Sequence, residues 1–159
     1  MHYKRLSTLL LCAGILALVG GVMVFFVYAP LAGLEIRAES PQYAHLFWPA
    51  LIYIWVIACV YMAALGEYIA ISLRIGRGQS FCRENVSAMR RISLYLFVAA
   101  LMWLLGLAAA ALFSVAVGPL WILFLLVSMA SVALSLVAHV LCILLRHTVQ
   151  LQEDSDLTI

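Results

Sequence analysis

Four long apolar runs, separated by short segments that hold most of the charge, decide the solvent in which this chain folds. They occupy about residues 6–29, 47–75, 92–117 and 120–145. Each exceeds the ~20 residues that carry an α-helix across a ~30 Å hydrocarbon layer, so tilt or extension into the interface is expected. Of the 159 residues, 67% are hydrophobic and 10% charged, against roughly 25% charged in an ordinary globular chain. A water-facing surface cannot be built from this material. The sequence predicts an all-α integral membrane four-helix bundle, a single domain over residues 1–159, with the lipid bilayer as its first partner.

The sidedness of the charge predicts the orientation. Eight of the nine basic residues fall before the first run (Lys4, Arg5), between the second and third (Arg74, Arg77, Arg83, Arg90, Arg91) and after the fourth (Arg146). The remaining one, Arg37, lies beside Glu35 and Glu39. Positive charge accumulates in cytoplasmic loops, so both termini and the central segment are expected in the cytoplasm of a multi-pass inner-membrane protein. An even number of spans agrees. The first run is longer than the ~7–15-residue apolar region of a secretory signal peptide, and is read as a retained helix.

The connections are short. Residues 30–45, with two prolines and three charges, read as an external loop. Gly118-Pro119 reads as a tight break between the third and fourth helices, since proline cannot extend a preceding hydrogen-bond ladder. Small residues recur every four positions at Ala13, Ala17 and Gly21, and at Gly106, Ala110, Ser114 and Gly118. Such stripes let helix backbones approach closely; they serve either the bundle itself or a homo-oligomer.

Ionisable residues inside an apolar run are expensive, roughly 2.5–3.5 kcal/mol at the bilayer centre on insertion scales, and usually face a partner or water. Glu67 lies seven residues before Arg74, ~10 Å along a helix axis, and His139 lies seven before Arg146. They are thus expected at similar depth towards the inner leaflet. His139 shares a helical face with Ser128, Ser131 and Ser135, so a Glu67–His139 pair is a candidate, either as a structural clasp or as a titratable site of a small proton-linked transporter or permeability factor. No metal, cofactor or disulfide is expected: Cys12, Cys59 and Cys142 lie in apolar runs, Cys82 lies in the basic segment, and no CxxC occurs.

Two charged segments flank the runs. In the central elbow, Gly76 and Gly78 break the second helix and a new one is expected from about residue 82. Phe81 and Val86 then take the positions of a hydrophobic staple, and Glu84 in the first turn suits the helix dipole. Residues 82–91 form a surface-lying lead-in to the third helix, or a docking site for a partner. The tail, residues 146–159, carries Glu153, Asp154 and Asp156, opposite in sign to the elbow's five arginines. Tail docking on the elbow is a further option, although exposed pairs are each worth only ~0–1 kcal/mol.

The elbow Gly78-Gln79-Ser80-Phe81-Cys82-Arg83-Glu84-Asn85-Val86, the following Met89-Arg90-Arg91-Ile92, and the closing Leu151-Gln152-Glu153 through Asp156-Leu157-Thr158-Ile159 resemble a bacterial membrane-protein family catalogued as domain of unknown function 2975. Where that family usually has Thr after the Phe, this chain has Cys82, a poorer helix cap. The resemblance implies a small four-helix membrane protein, often encoded beside a small helix-turn-helix regulator. A non-enzymatic regulator or partner-binding protein is therefore expected, sequestering or signalling to a cytoplasmic DNA-binding partner without binding nucleic acid itself. The candidate partner-binding residues are Phe81, Arg83, Glu84, Asn85, Arg90, Arg91, Leu151, Glu153, Asp154 and Asp156. An accessory subunit of a larger membrane complex is a further alternative.

Overall fold

Backbone N–H and C=O groups cannot be left unpaired in hydrocarbon, and a helix pairs them within one segment. The chain takes this solution throughout. The computed structural model describes residues 2–78, 82–115 and 118–156, and the side chains among these except residues 2–4, 6, 119, 120 and 152–156. The elements are α1 (His2–Val22), a π-helical stretch (Met23–Tyr28), α2 (Ala29–Glu39), a 3-10 turn (Pro41–Leu46), α3 (Phe47–Gly76), α4 (Arg83–Leu112) and α5 (Gly118–Asp156). Four stretches are long and apolar enough to cross a membrane: Ser7–Glu39, Pro41–Gly76, Arg83–Leu112 and Trp121–Leu151.

The first span departs from expectation. It does not end at residue 29 but continues through Pro30 to Glu39, and Pro41–Leu46 makes the turn into α3. The π stretch explains how. With Ala29 N–H bonded to the Val24 carbonyl, bonds run five residues back, and the nitrogen that would reach the Phe25 carbonyl belongs to Pro30 and has no hydrogen. The Trp55 indole of α3 donates to that carbonyl instead, at 3.2 Å. Phe26 stacks on Trp55 and Phe25 on Tyr61, each with ring centroids 5.9 Å apart.

The ends of α4 and α5 also differ from the sequence reading. Helix α4 stops at Leu112, before Gly118-Pro119. Ser114 adopts the left-handed conformation (φ 51°), its N–H bonds Ala111 O, and Val115 N–H bonds Ala110 O. This is the Schellman closure usually built on glycine, so nothing in the composition announced it. Gly118-Pro119 then opens α5, where proline's missing donor falls among N–H groups that have no intrahelical acceptor. At the other end, α5 runs on to Asp156. Residues 146–156, expected as a separate tail, are a straight continuation reaching ~15 Å past Arg146.

Sequence neighbours pack on one another: α1 on α3, α3 on α4, and most extensively α4 on α5. The expected small-residue stripes are partly spent on these seams. Gly21 faces Met62 and Gly106 the Tyr53 ring, each close enough that an added methyl would crowd its neighbour, whereas Ala13 and Ala17 are exposed; Gly14, outside the stripes, meets the Tyr68 ring. Gly118 faces open space. Most large apolar side chains point outward, among them Leu16, Leu105 and Leu126, as lipid-facing helices require.

Replacing Trp55 with Phe leaves the Phe25 carbonyl unpaired. The expected loss is about 1–3 kcal/mol, read as a lower unfolding midpoint in mild detergent. In a Pro30→Ala background the backbone regains its own donor and the loss shrinks. An equal loss in both backgrounds contradicts the exchange of donors.

Candidate functional site

The polar face expected on the last helix exists, and it is a structural seam. Ser128, Ser131 and Ser135 are buried. Ser93 and Ser135 bond reciprocally, each hydroxyl donating to the other's carbonyl at 3.0 and 2.9 Å. Ser128 donates to Ala100 O at 3.3 Å. Tyr61 on α3 reaches the Ser131 hydroxyl, and the Trp103 indole donates to Tyr61 Oη at 3.2 Å. Among the described residues no buried side-chain nitrogen or oxygen lacks a partner. The face is saturated by clasps between α3, α4 and α5.

Glu67 and His139 do not pair in this arrangement. Both Glu67 oxygens are taken by Arg91 of α4, which donates from Nε at 2.6 Å and from Nη2 at 2.9 Å. His139 is exposed on the side of α5. Burial follows Ser135, Ala138 and Cys142, so the inward face passes one residue short of His139, a turn of 100° away. Glu67 and Arg91 stand on antiparallel helices at similar distances from the elbow, Glu67 nine residues before the end of α3 at Gly76 and Arg91 eight after the start of α4 at Arg83. That symmetry was the available signal, masked because Arg91 counts as one of a cluster of loop charges.

This fork clamps the basic end of the molecule. Helix α3 closes at a left-handed Gly78 (φ 81°), whose N–H bonds Ile75 O; glycine takes this position without a Cβ penalty. Helix α4 restarts with Cys82 as its extended N-cap and no side-chain cap bond. Its carbonyl accepts from Asn85 N at 3.0 Å. Arg74 donates to Asn85 Oδ1 at 3.4 Å across the hairpin. Ser7 of α1 donates to Ser72 O at 2.8 Å; beside it, a Cβ on Gly76 would lie 2.5 Å from the Ser7 hydroxyl. Cys142 of α5 donates weakly to Val86 O at 3.5 Å. All four long helices are thus tied at this end.

The expected partner-binding residues separate into groups. Arg83, Glu84 and Arg90 are exposed, and Leu151 is 71% exposed. Asn85 is 1% exposed and faces α3. It is unavailable to a docking partner, because the third position of α4 turns into the hairpin. Arg91 is committed to Glu67. Phe81 lies outside the described residues; Glu153, Asp154 and Asp156 lie on the α5 helix, with their side chains outside the described set.

Between the start of α4 and the last third of α5 runs an open groove of about 490 Å³. Its walls carry Arg83, Ser87, Arg90 and Arg146, and Val86, Cys142 and Val149 also line it. The sequence reading missed this groove, since Arg146 is far from the elbow in sequence and only the antiparallel packing of α4 on α5 brings it there. Three guanidinium groups on one concave surface can hold an anion. Among the described residues no group of three His, Cys, Asp or Glu side chains could hold a metal.

Glu67→Gln should lower stability by about 1 kcal/mol, below the 1.5–3 of a typical charged hydrogen bond because Arg91 is over a third exposed. His139→Ala should leave it unchanged. The exchanged pair Glu67→Arg with Arg91→Glu should recover part of the Glu67→Arg loss in detergent melting curves; no recovery contradicts a specific clasp.

No curated protein and no solved structure matches the chain. A family model described as "Protein of unknown function (DUF2975)" matches residues 31–159, taking in every long helix but α1 and including both the elbow and the end of α5. The chain belongs to that family.

Proposed function

We propose that the protein is a non-enzymatic, multi-pass regulator of a bacterial inner membrane that binds a cytoplasmic protein at its basic end. One observation carries the reading: the Glu67–Arg91 fork, with the Arg74–Asn85, Ser7–Ser72 and Cys142–Val86 bonds, ties the helices together at that end while Arg77, Arg83, Glu84 and Arg90 remain exposed. Preorganised charge lowers the cost of ordering an interface on binding. The end of α5 supports the reading too. As a helix continuing past Arg146 it presents the exposed Leu151 at the basic end, and Glu153, Asp154 and Asp156 follow on the same helix. The family resemblance makes a small helix-turn-helix regulator the natural occupant.

The transport alternative has less support. Its two ionisable residues stand apart, Glu67 is neutralised by Arg91, and the interior hydroxyls are already engaged. An accessory-subunit role remains open through the exposed apolar faces, but no particular residue favours it.

Orientation is tested through the thiols. Cys12 and Cys59 are exposed only on apolar spans and Cys142 is buried, so Cys82 should be the thiol that a membrane-impermeant maleimide labels in inside-out vesicles, and it should stay unlabelled in intact cells. Labelling from outside reverses the proposed topology. For the partner, crosslinking from native membranes should capture a small helix-turn-helix protein with the full chain, and lose it when residues 151–159 are removed while the helices still melt normally. Undiminished capture by the shortened chain excludes the α5 end as part of the surface.

A further inference from the structure

We infer that the groove between α4 and α5 binds the phosphate of an anionic glycerophospholipid from the leaflet at the basic end. The walls supply the chemistry. Arg90 and Arg146 are exposed, and among the described residues neither has a carboxylate partner. Arg83 and Ser87 also line the groove. The Ser87 hydroxyl already donates its one proton to Glu84 O at 2.9 Å, so the donors to a phosphate are the guanidinium groups. Guanidinium groups recognise phosphate oxygens through two parallel N–H bonds, and two such groups on facing helices can grip one phosphate from both sides.

The surroundings favour a lipid over a free phosphate ion. Both arginines belong to stretches long and apolar enough to span the bilayer, Arg83–Leu112 and Trp121–Leu151. They therefore sit at the boundary between hydrocarbon and water, where headgroup phosphates lie. Val86, Cys142 and Val149 give the groove apolar lining that a small inorganic ion does not need. The wall then continues into the membrane as an apolar strip. Along α4 the Arg83, Ser87, Arg90 row extends at helical spacing to Leu94 and Phe97, both exposed, and along α5 Ile143 and Leu136 lie below Arg146, with the exposed His139 the one polar side chain between them. A headgroup in the groove would lay its acyl chains along this strip. A zwitterionic headgroup would bring its own cation against Arg90 and Arg146, so net-anionic lipid is preferred. Basic pockets between transmembrane helices bind anionic headgroups elsewhere by the same chemistry.

The proposal does not rest on the partner reading, because it is measured on the pure full chain with no partner present. Protein in mild detergent is titrated with phosphatidylglycerol, with phosphatidylcholine of the same acyl chains, and with inorganic phosphate, and retained lipid is read by native mass spectrometry. Phosphatidylglycerol should be retained on the order of tenfold better than phosphatidylcholine, and the preference should vanish in Arg90→Gln with Arg146→Gln. Arg77→Gln, outside the groove, should keep it. Equal retention of phosphatidylglycerol by the double variant overturns the site. Displacement of the lipid by an equal concentration of inorganic phosphate overturns the lipid as its ligand. A second measurement needs no variant: phosphatidylglycerol should raise the melting midpoint of the native chain more than phosphatidylcholine does, and equal shifts also refute the proposal.

Discussion

Helices surrounded by lipid gain little from burying apolar surface against one another, since the lipid tails are as apolar as leucine. The association of α1, α3, α4 and α5 therefore depends on polar clasps and on close backbone approach. The seams show both. Ser93 and Ser135 exchange hydrogen bonds between α4 and α5, Tyr53 of α3 donates to Met102 O of α4, and Gly106 lets that tyrosine ring lie against the α4 backbone. Ser7, Ser72 and Gly76 do the same for α1 on α3. Each helix pair is joined by hydroxyl-to-carbonyl bonds at defined heights, which sets the axial register that a sliding apolar interface would leave loose.

The same constraint governs the irregular places. A proline in mid-span orphans a carbonyl, and the chain answers with a π-helical turn and the Trp55 indole. At the far end of the bundle from the elbow, Tyr43 donates to Ser114 O at 2.9 Å, beside the left-handed residue that closes α4, while the Trp121 indole donates to Val115 O at 2.9 Å. The end of α4 is thus held by aromatic donors from the 3-10 turn and from α5. Aromatic residues with a polar tip suit this depth, where one side of the ring meets lipid and the other meets water.

What the sequence displays best is whatever depends on composition over a window. The four spans, the inward serine face and the break near residue 82 all follow from apolar run length and helical spacing, and all are present. What it hides depends on single contacts across helices. The first span's passage through Pro30 needs Trp55, which lies 25 positions away in the chain. The end of α4 rests on a serine in a glycine's conformation. Pairing Glu67 with His139 rested on equal depth, and depth alone does not say which helices are adjacent. Arg91 is at that depth too, and it lies on the helix that packs directly against α3.

Arg90 and Arg91 show how one helical step divides a charge cluster into different tasks. Counted as loop residues they are two equal contributions to a basic segment. On α4 they point 100° apart: Arg91 turns to α3 and is neutralised by Glu67, while Arg90 turns to the groove shared with α5. Asn85, 120° from Arg91 around α4, is also held by α3, through Arg74. Ser87, three residues before Arg90, follows it to the groove. The charge of the elbow is therefore smaller than its arginine count implies, because one cation fastens the hairpin. Two of the cations left over, Arg83 and Arg90, lie on the α5 side, where Arg146 adds to them from the other wall. A partner or headgroup approaching this end meets a polarised surface, and its direction of approach is set by which helix face each arginine occupies.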